Sequence, residues 1–82
     1  MISLTLLGTE HCHLCDEAEQ LLESNRLFSK IPYNYQVKDI IDDEELFSNY
    51  RKEIPVVVNE ATGEVLKYPF GIVELIALLE VS

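Results

Sequence analysis

The chain has 82 residues, 48% of them apolar, and 15 acidic residues against 6 basic give it a formal charge of −9. That length suits a single domain, 1–82, burying little more than about 60% of the surface its unfolded form exposes, and the negative charge repels phosphate backbones and anionic lipid, which excludes nucleic-acid and membrane-surface partners. No apolar run approaches the roughly 20 residues of a membrane helix, and the first eight residues lack the basic flank and cleavage site of a secretory leader, so a soluble, cytoplasmic monomer is expected.

Ile2, Leu4 and Leu6 alternate with Ser3 and Thr5, the period of a strand, which ends at Gly8. Leu14, Ala18, Leu21 and Leu22 then follow helical spacing, with Asp16, Glu17 and Glu19 near the start where the helix dipole favours acids. This helix begins at the cysteines. It fades before Pro32, and Tyr33, Tyr35 and Val37 alternate as a second strand. A strand, helix and strand in succession form a right-handed crossover, so the two strands are expected to be parallel.

Asp42 and Glu45 have capping-box spacing, which predicts a short helix from about Asp42 to Tyr50. Pro55 to Val58 reads as a buried strand, Asn59 to Gly63 as a turn, and Glu64 to Lys67 as an antiparallel return. Pro69 suits the first turn of a last helix, whose apolar residues from Phe70 to Leu79 nearly encircle it, so that helix is expected to be largely buried. The order is βαβαββα: an α/β fold with a four-stranded mixed sheet and helices on both faces. Phe28 and Phe47 read as core packing, and Phe70 as a residue that lines a groove.

The chemistry centres on Cys12 and Cys15, the chain's two cysteines. Random placement gives this spacing about one time in forty, so position matters more than spacing: the pair lies between a strand and the N-terminus of a helix, inside a βαβ unit. A thiolate is the nucleophile in disulfide exchange, and unpaired amides at a helix start stabilise that anion. Cys12, the more exposed, is expected to attack, and Cys15, about one turn on, to resolve the mixed disulfide. In a reducing compartment such a pair signals redox work rather than a structural crosslink.

From these residues the chain resembles the glutaredoxin branch of the thioredoxin superfamily. The resemblance spans nearly the whole sequence: the first strand, Cys12-His13-Leu14-Cys15, Lys38-Asp39-Ile40, Ile54-Pro55-Val56-Val57 and a closing helix. It implies a thioredoxin-like fold, a cis peptide before Pro55 and a backbone contact from Ile54 to an extended substrate; around these two, His11, His13, Leu14, Phe70 and Gly71 complete the expected substrate-binding surface. It also implies a thiol-disulfide oxidoreductase acting on a disulfide-containing protein or a glutathione mixed disulfide, with no bound cofactor and no metal, restored by a separate reductase or by glutathione. Three departures stand out: His13 and Leu14 fill the middle of the motif where proline and tyrosine are common, Thr9 replaces a lysine, and Phe70-Gly71 with Glu74 replaces a Gly-Gly and acidic pattern that holds glutathione. Glutathione is anionic, and an acidic chain offers it a poor field.

Two other readings compete. Cys12 and Cys15 could bind a metal or an iron-sulfur cluster, although one chain supplies two thiolates at most. The same groove could also serve a non-catalytic adaptor, whose thiols would titrate near about 8.5.

Overall fold

The computed structural model describes residues 1–80. Strand β1 (Ile2–Gly8) leads into helix α1 (His13–Arg26), which returns the chain to strand β2 (Tyr33–Asp39). A 3-10 turn (Ile40–Asp42) and helix α2 (Glu44–Tyr50) follow, then strands β3 (Val56–Asn59) and β4 (Val65–Lys67), and helix α3 (Ile72–Glu80). The sheet order is β2-β1-β3-β4; β1 lies parallel to β2 and antiparallel to β3, and β4 is antiparallel to β3. This is the thioredoxin-like mixed sheet that the sequence pattern and the resemblance imply.

Strand alternation in β1 builds both faces. Leu4 and Leu6 point to one side, where they meet Ala18 and Leu22 of α1, Leu75, Leu78 and Leu79 of α3, Tyr33 and Val57. Leu7 points to the other, where Val56 and Ile40 complete a smaller core beneath Leu46 and Tyr50 of α2. Each fully buried leucine is worth about 1.5–3 kcal/mol, so the side holding α1 and α3 dominates stability. Helix α2 is too short to cover the second face, and a depression of about 390 Å³ remains there beside Thr5, Gln36 and Lys38. Gln36 Nε2 donates to Thr5 Oγ1 at 3.2 Å on that face.

Four local expectations are corrected. The cap of α2 is Asp43, whose Oδ1 accepts from the Glu45 and Leu46 amides at 3.0 and 3.1 Å; Asp42 belongs to the preceding 3-10 turn. Pro69 stands outside α3, after a cis Tyr68–Pro69 bond, and the helix starts at Ile72. Helix α3 is buried along one stripe only, Leu75, Leu78 and Leu79, while Ile72, Val73 and Ile76 are exposed at 47%, 75% and 39%. A helix that closes one side of a single sheet has nothing to pack on its outer surface. Phe28, in the turn after α1, and Phe47, on α2, also lie on the surface rather than in the core.

Among the described residues one polar side chain, that of Asn59, is fully buried. Asn59, at the end of β3, donates from Nδ2 to the Leu78 carbonyl at 3.2 Å and accepts at Oδ1 from the Ala61 amide at 2.9 Å. It ties α3 to the β3–β4 turn, where Gly63 adopts φ 79°. A side-chain amide can satisfy backbone groups on two elements at once.

Candidate functional site

The cysteines stand where β1 hands over to α1. The connecting turn reaches Cys12 through His11, which takes φ 60°, a left-handed conformation in which histidine is enriched among non-glycine residues. Cys12 is the N-cap of α1, extended at φ −100° and ψ 103°. Its sulfur occupies the capping place usually held by a serine, threonine or aspartate oxygen, accepting from the Cys15 amide at 3.2 Å. The Cys12 carbonyl accepts from the Asp16 amide at 3.1 Å and starts the helical ladder.

Cys12 and Cys15 are joined in a disulfide, their Cα atoms 5.2 Å apart. Cys12 is half-buried and Cys15 only 7% exposed. The asymmetry follows from the helix: a cap residue stands outside the cylinder, whereas a residue three positions on turns toward the sheet. Behind Cys15 lies Gly8, so close that a Cβ on it would stand 2.9 Å from Cys15 Sγ. Sequence reasoning took Gly8 only as a strand end. The available signal was a glycine closing a strand directly before a helix that must approach it.

Strand register assembles the rest of this end of the sheet. Gly8 pairs with Asp39 of β2, and the Leu7–Val56 pairing brings the residue before β3, Pro55, alongside Gly8. Pro55 is buried, its bond to Ile54 is cis as the resemblance implies, and its carbonyl accepts from the Tyr68 amide at 3.1 Å. Ile54 is half-buried and donates its amide to the Tyr50 carbonyl at 3.2 Å. Tyr68 and Phe70 meet edge to face with ring centres 5.6 Å apart, both packed against the main core. Tyr68 was not foreseen from sequence; its place comes from pairing, which no local pattern encodes.

The remaining expected site residues divide. His11, His13 and Leu14 are exposed around Cys12, with Leu14 at 45%. Gly71 is half-buried, and its amide donates to Glu74 Oε1 at 2.6 Å, so Glu74 caps the start of α3 from within. On the α1 side of the disulfide, a cavity of about 240 Å³ is walled by Gly8, Cys15, Glu10, Asp16, Glu19 and Asp39, among others. The nearby Tyr35 hydroxyl donates to Glu19 Oε2 at 3.5 Å, and burial together with Glu23 and Glu19 pushes its pKa up to about 12.

Among the described residues no three His, Cys, Asp or Glu side chains are grouped so as to hold a metal ion. No helix among them is long and apolar enough to cross a membrane.

Comparison with known proteins agrees with this geometry. No curated protein matches the chain. Two solved structures do, both of target protein XcR50 from X. campestris: an X-ray structure, 33% identical, covering 96% of this chain and 97% of its own with a TM-score of 0.77, and a solution structure, 33% identical, covering 100% and 96% with a TM-score of 0.75. Residues 3–80 match the family model described as a glutaredoxin-like domain, DUF836. With the four-stranded mixed sheet, the paired cysteines at the start of α1 and this match over nearly the whole length, the chain belongs to the glutaredoxin-like domain family.

Proposed function

We propose that this protein is a thiol-disulfide oxidoreductase in which Cys12 attacks and Cys15 resolves. The observation that carries the reading is the graded exposure of two bonded sulfurs at a helix N-terminus: one reachable by a substrate, the other buried within bonding distance behind it. In the reduced protein the amides at the start of α1 favour the Cys12 thiolate. That thiolate attacks a substrate disulfide, forming a Cys12–substrate bond as one substrate thiolate leaves and takes up a proton. Cys15 then gives up its proton and attacks the Cys12 sulfur, closing the Cys12–Cys15 bond and releasing the second substrate thiol. Two electrons and two protons pass from the dithiol to the substrate, and an external thiol reductant reverses the oxidation.

In this reading Ile54 offers its carbonyl to an extended substrate backbone, its amide being already engaged, while Pro55 and Phe70 form the apolar floor and His11, His13, Leu14 and Gly71 the rim. The substrate is a disulfide-containing protein, the protein acts without a bound cofactor, and its setting is a reducing compartment such as the cytoplasm, where an exposed cysteine pair can cycle. The test is a pair of trapping variants. Cys15→Ser is expected to accumulate a covalent mixed disulfide with a model substrate, visible by mass spectrometry and released by dithiothreitol, and Cys12→Ser to accumulate none. Equal trapping by both variants would overturn the assigned order, and trapping by neither would overturn the activity.

A further inference from the structure

The exchange reading leaves open which disulfides the site accepts, and the charge around the sulfurs bears on this. The cavity that Cys15 and Gly8 wall is also walled by the carboxylates of Glu10, Asp16, Glu19 and Asp39, and among the described residues no lysine or arginine lines it. Alternation along β2 sends Lys38 to the opposite face, where it pairs with Asp43 at 3.8 Å. On the other flank, Lys67 is paired with Glu53 at 3.0 Å, and the amide of Gly71, an anion acceptor at the start of α3, is taken by Glu74. Arg51, the C-cap of α2, and Lys52 after it are exposed and are not among the residues that wall this cavity. Thus the partly enclosed space next to the redox bond presents carboxylates, and on the other flank Lys67 and the Gly71 amide are each already engaged by a carboxylate.

We propose that the site selects protein disulfides flanked by lysine or arginine and discriminates against anionic disulfides, an inference that rests on the thiol-disulfide exchange reading above. The carboxylates are not a separate site; they set the specificity of the sulfur pair. A cleft of one sign, walled on one side by low-dielectric core, concentrates the opposite charge and raises encounter rates by about 10- to 1,000-fold. A cationic group next to the substrate sulfur also offsets the repulsion that these carboxylates impose on the thiolates formed during exchange. The reaction is the one given above: the protein dithiol loses two electrons and two protons, and the substrate disulfide gains them as two thiols.

The experiment uses pre-reduced full-length protein and three small disulfides of similar size and different charge: cystamine, bis(2-hydroxyethyl) disulfide and 3,3′-dithiodipropionate. Single-turnover oxidation is followed by alkylation and mass spectrometry at low salt, and each rate is divided by that of free dithiothreitol with the same disulfide to remove intrinsic reactivity. The corrected rate for cystamine is expected to exceed that for dithiodipropionate by about tenfold or more, and added salt to shrink the ratio. The variant E10Q/D16N/E19Q is expected to lower the ratio at least about threefold, whereas E44Q/E64Q/E80Q, which removes the same formal charge elsewhere, leaves it near the wild-type value. A ratio near one with the neutral disulfide consumed overturns the charge selectivity alone, as does an equal fall in both triple variants. If the neutral disulfide is consumed no faster than by Cys12→Ser, the exchange reading fails and the selectivity with it.

Discussion

Replacing Gly8 with alanine puts the packing of the redox centre to a direct test. The new Cβ would stand 2.9 Å from Cys15 Sγ and 3.2 Å from Cys15 Cβ, inside van der Waals contact on both counts. The sulfur cannot swing aside, because it is bonded to Cys12. The strand cannot withdraw either: β1 is paired on both edges, through Gly8–Asp39 and Leu7–Val56. Overpacking of this kind costs about 1–3 kcal/mol. Gly8 does not share the positive φ of Gly63, so alanine also returns about 0.4–1 kcal/mol by restricting the unfolded chain. The clash wins, for a net loss of about 1–2 kcal/mol and a Tm lower by roughly 4–16 °C in a domain of this size. The assay is thermal unfolding of the oxidised protein by circular dichroism, repeated in a Cys15→Ala background where the nearer of the two contacts is gone. There the penalty of Gly8→Ala is expected to shrink by at least about half. A rise in Tm on Gly8→Ala, or an undiminished loss without the Cys15 sulfur, would refute the reasoning.

Two further perturbations address the frame. Asn59→Ala removes a fully buried amide together with its bonds to the Leu78 carbonyl and the Ala61 amide; it is expected to cost about 2–4 kcal/mol, read as a lower urea midpoint with an unchanged m-value. On the alkaline side, Tyr35 keeps its proton to about pH 12 when folded but only to about pH 10 when unfolded. Folded protein therefore binds the extra proton, so the stability tied to Tyr35 is fully present below about pH 10 and lost as pH rises toward 12. Tyr35→Phe is expected to flatten the fall of urea midpoint with pH in that window, and an identical slope in the variant would contradict it.

What was legible in the sequence was whatever short-range pattern encodes. Alternation in Ile2 to Leu7 and Tyr33 to Val37, the helical spacing after Leu14, and Cys12 and Cys15 at the strand-to-helix junction all lie within a few residues of one another, and the structure keeps each of them. The errors arose where the answer depended on what lies opposite. Whether Val73 and Ile76 are buried depends on whether a second layer covers α3, and an apolar run cannot report that. Whether Asp42 or Asp43 caps α2 depended on a 3-10 turn inserted before it, which shifted the cap by one residue. Tyr68 joins the redox end through its amide bond to the Pro55 carbonyl, a pairing 13 positions away with no local signature, whereas Gly8 approaches Cys15 only seven positions on, so a signal existed and was read only as a strand end.

The unequal exposure on which the proposed order of attack rests is itself a consequence of topology. A helix that begins directly after a central strand must bring its first inward-facing turn against that strand's last residue, and here that turn carries Cys15 while the last residue is a glycine. Had the helix begun one residue earlier, Cys12 would have entered the cylinder and lost its capping position, and with it the exposure that separates it from its partner. Had Gly8 carried a side chain, its Cβ would have stood 2.9 Å from Cys15 Sγ, and the buried seat of Cys15 against β1 would have been overpacked. The unequal exposure of two chemically identical thiols thus follows from a cap at one and a missing Cβ at the other, and the proposed order, attack by Cys12 and resolution by Cys15, rests on this inequality.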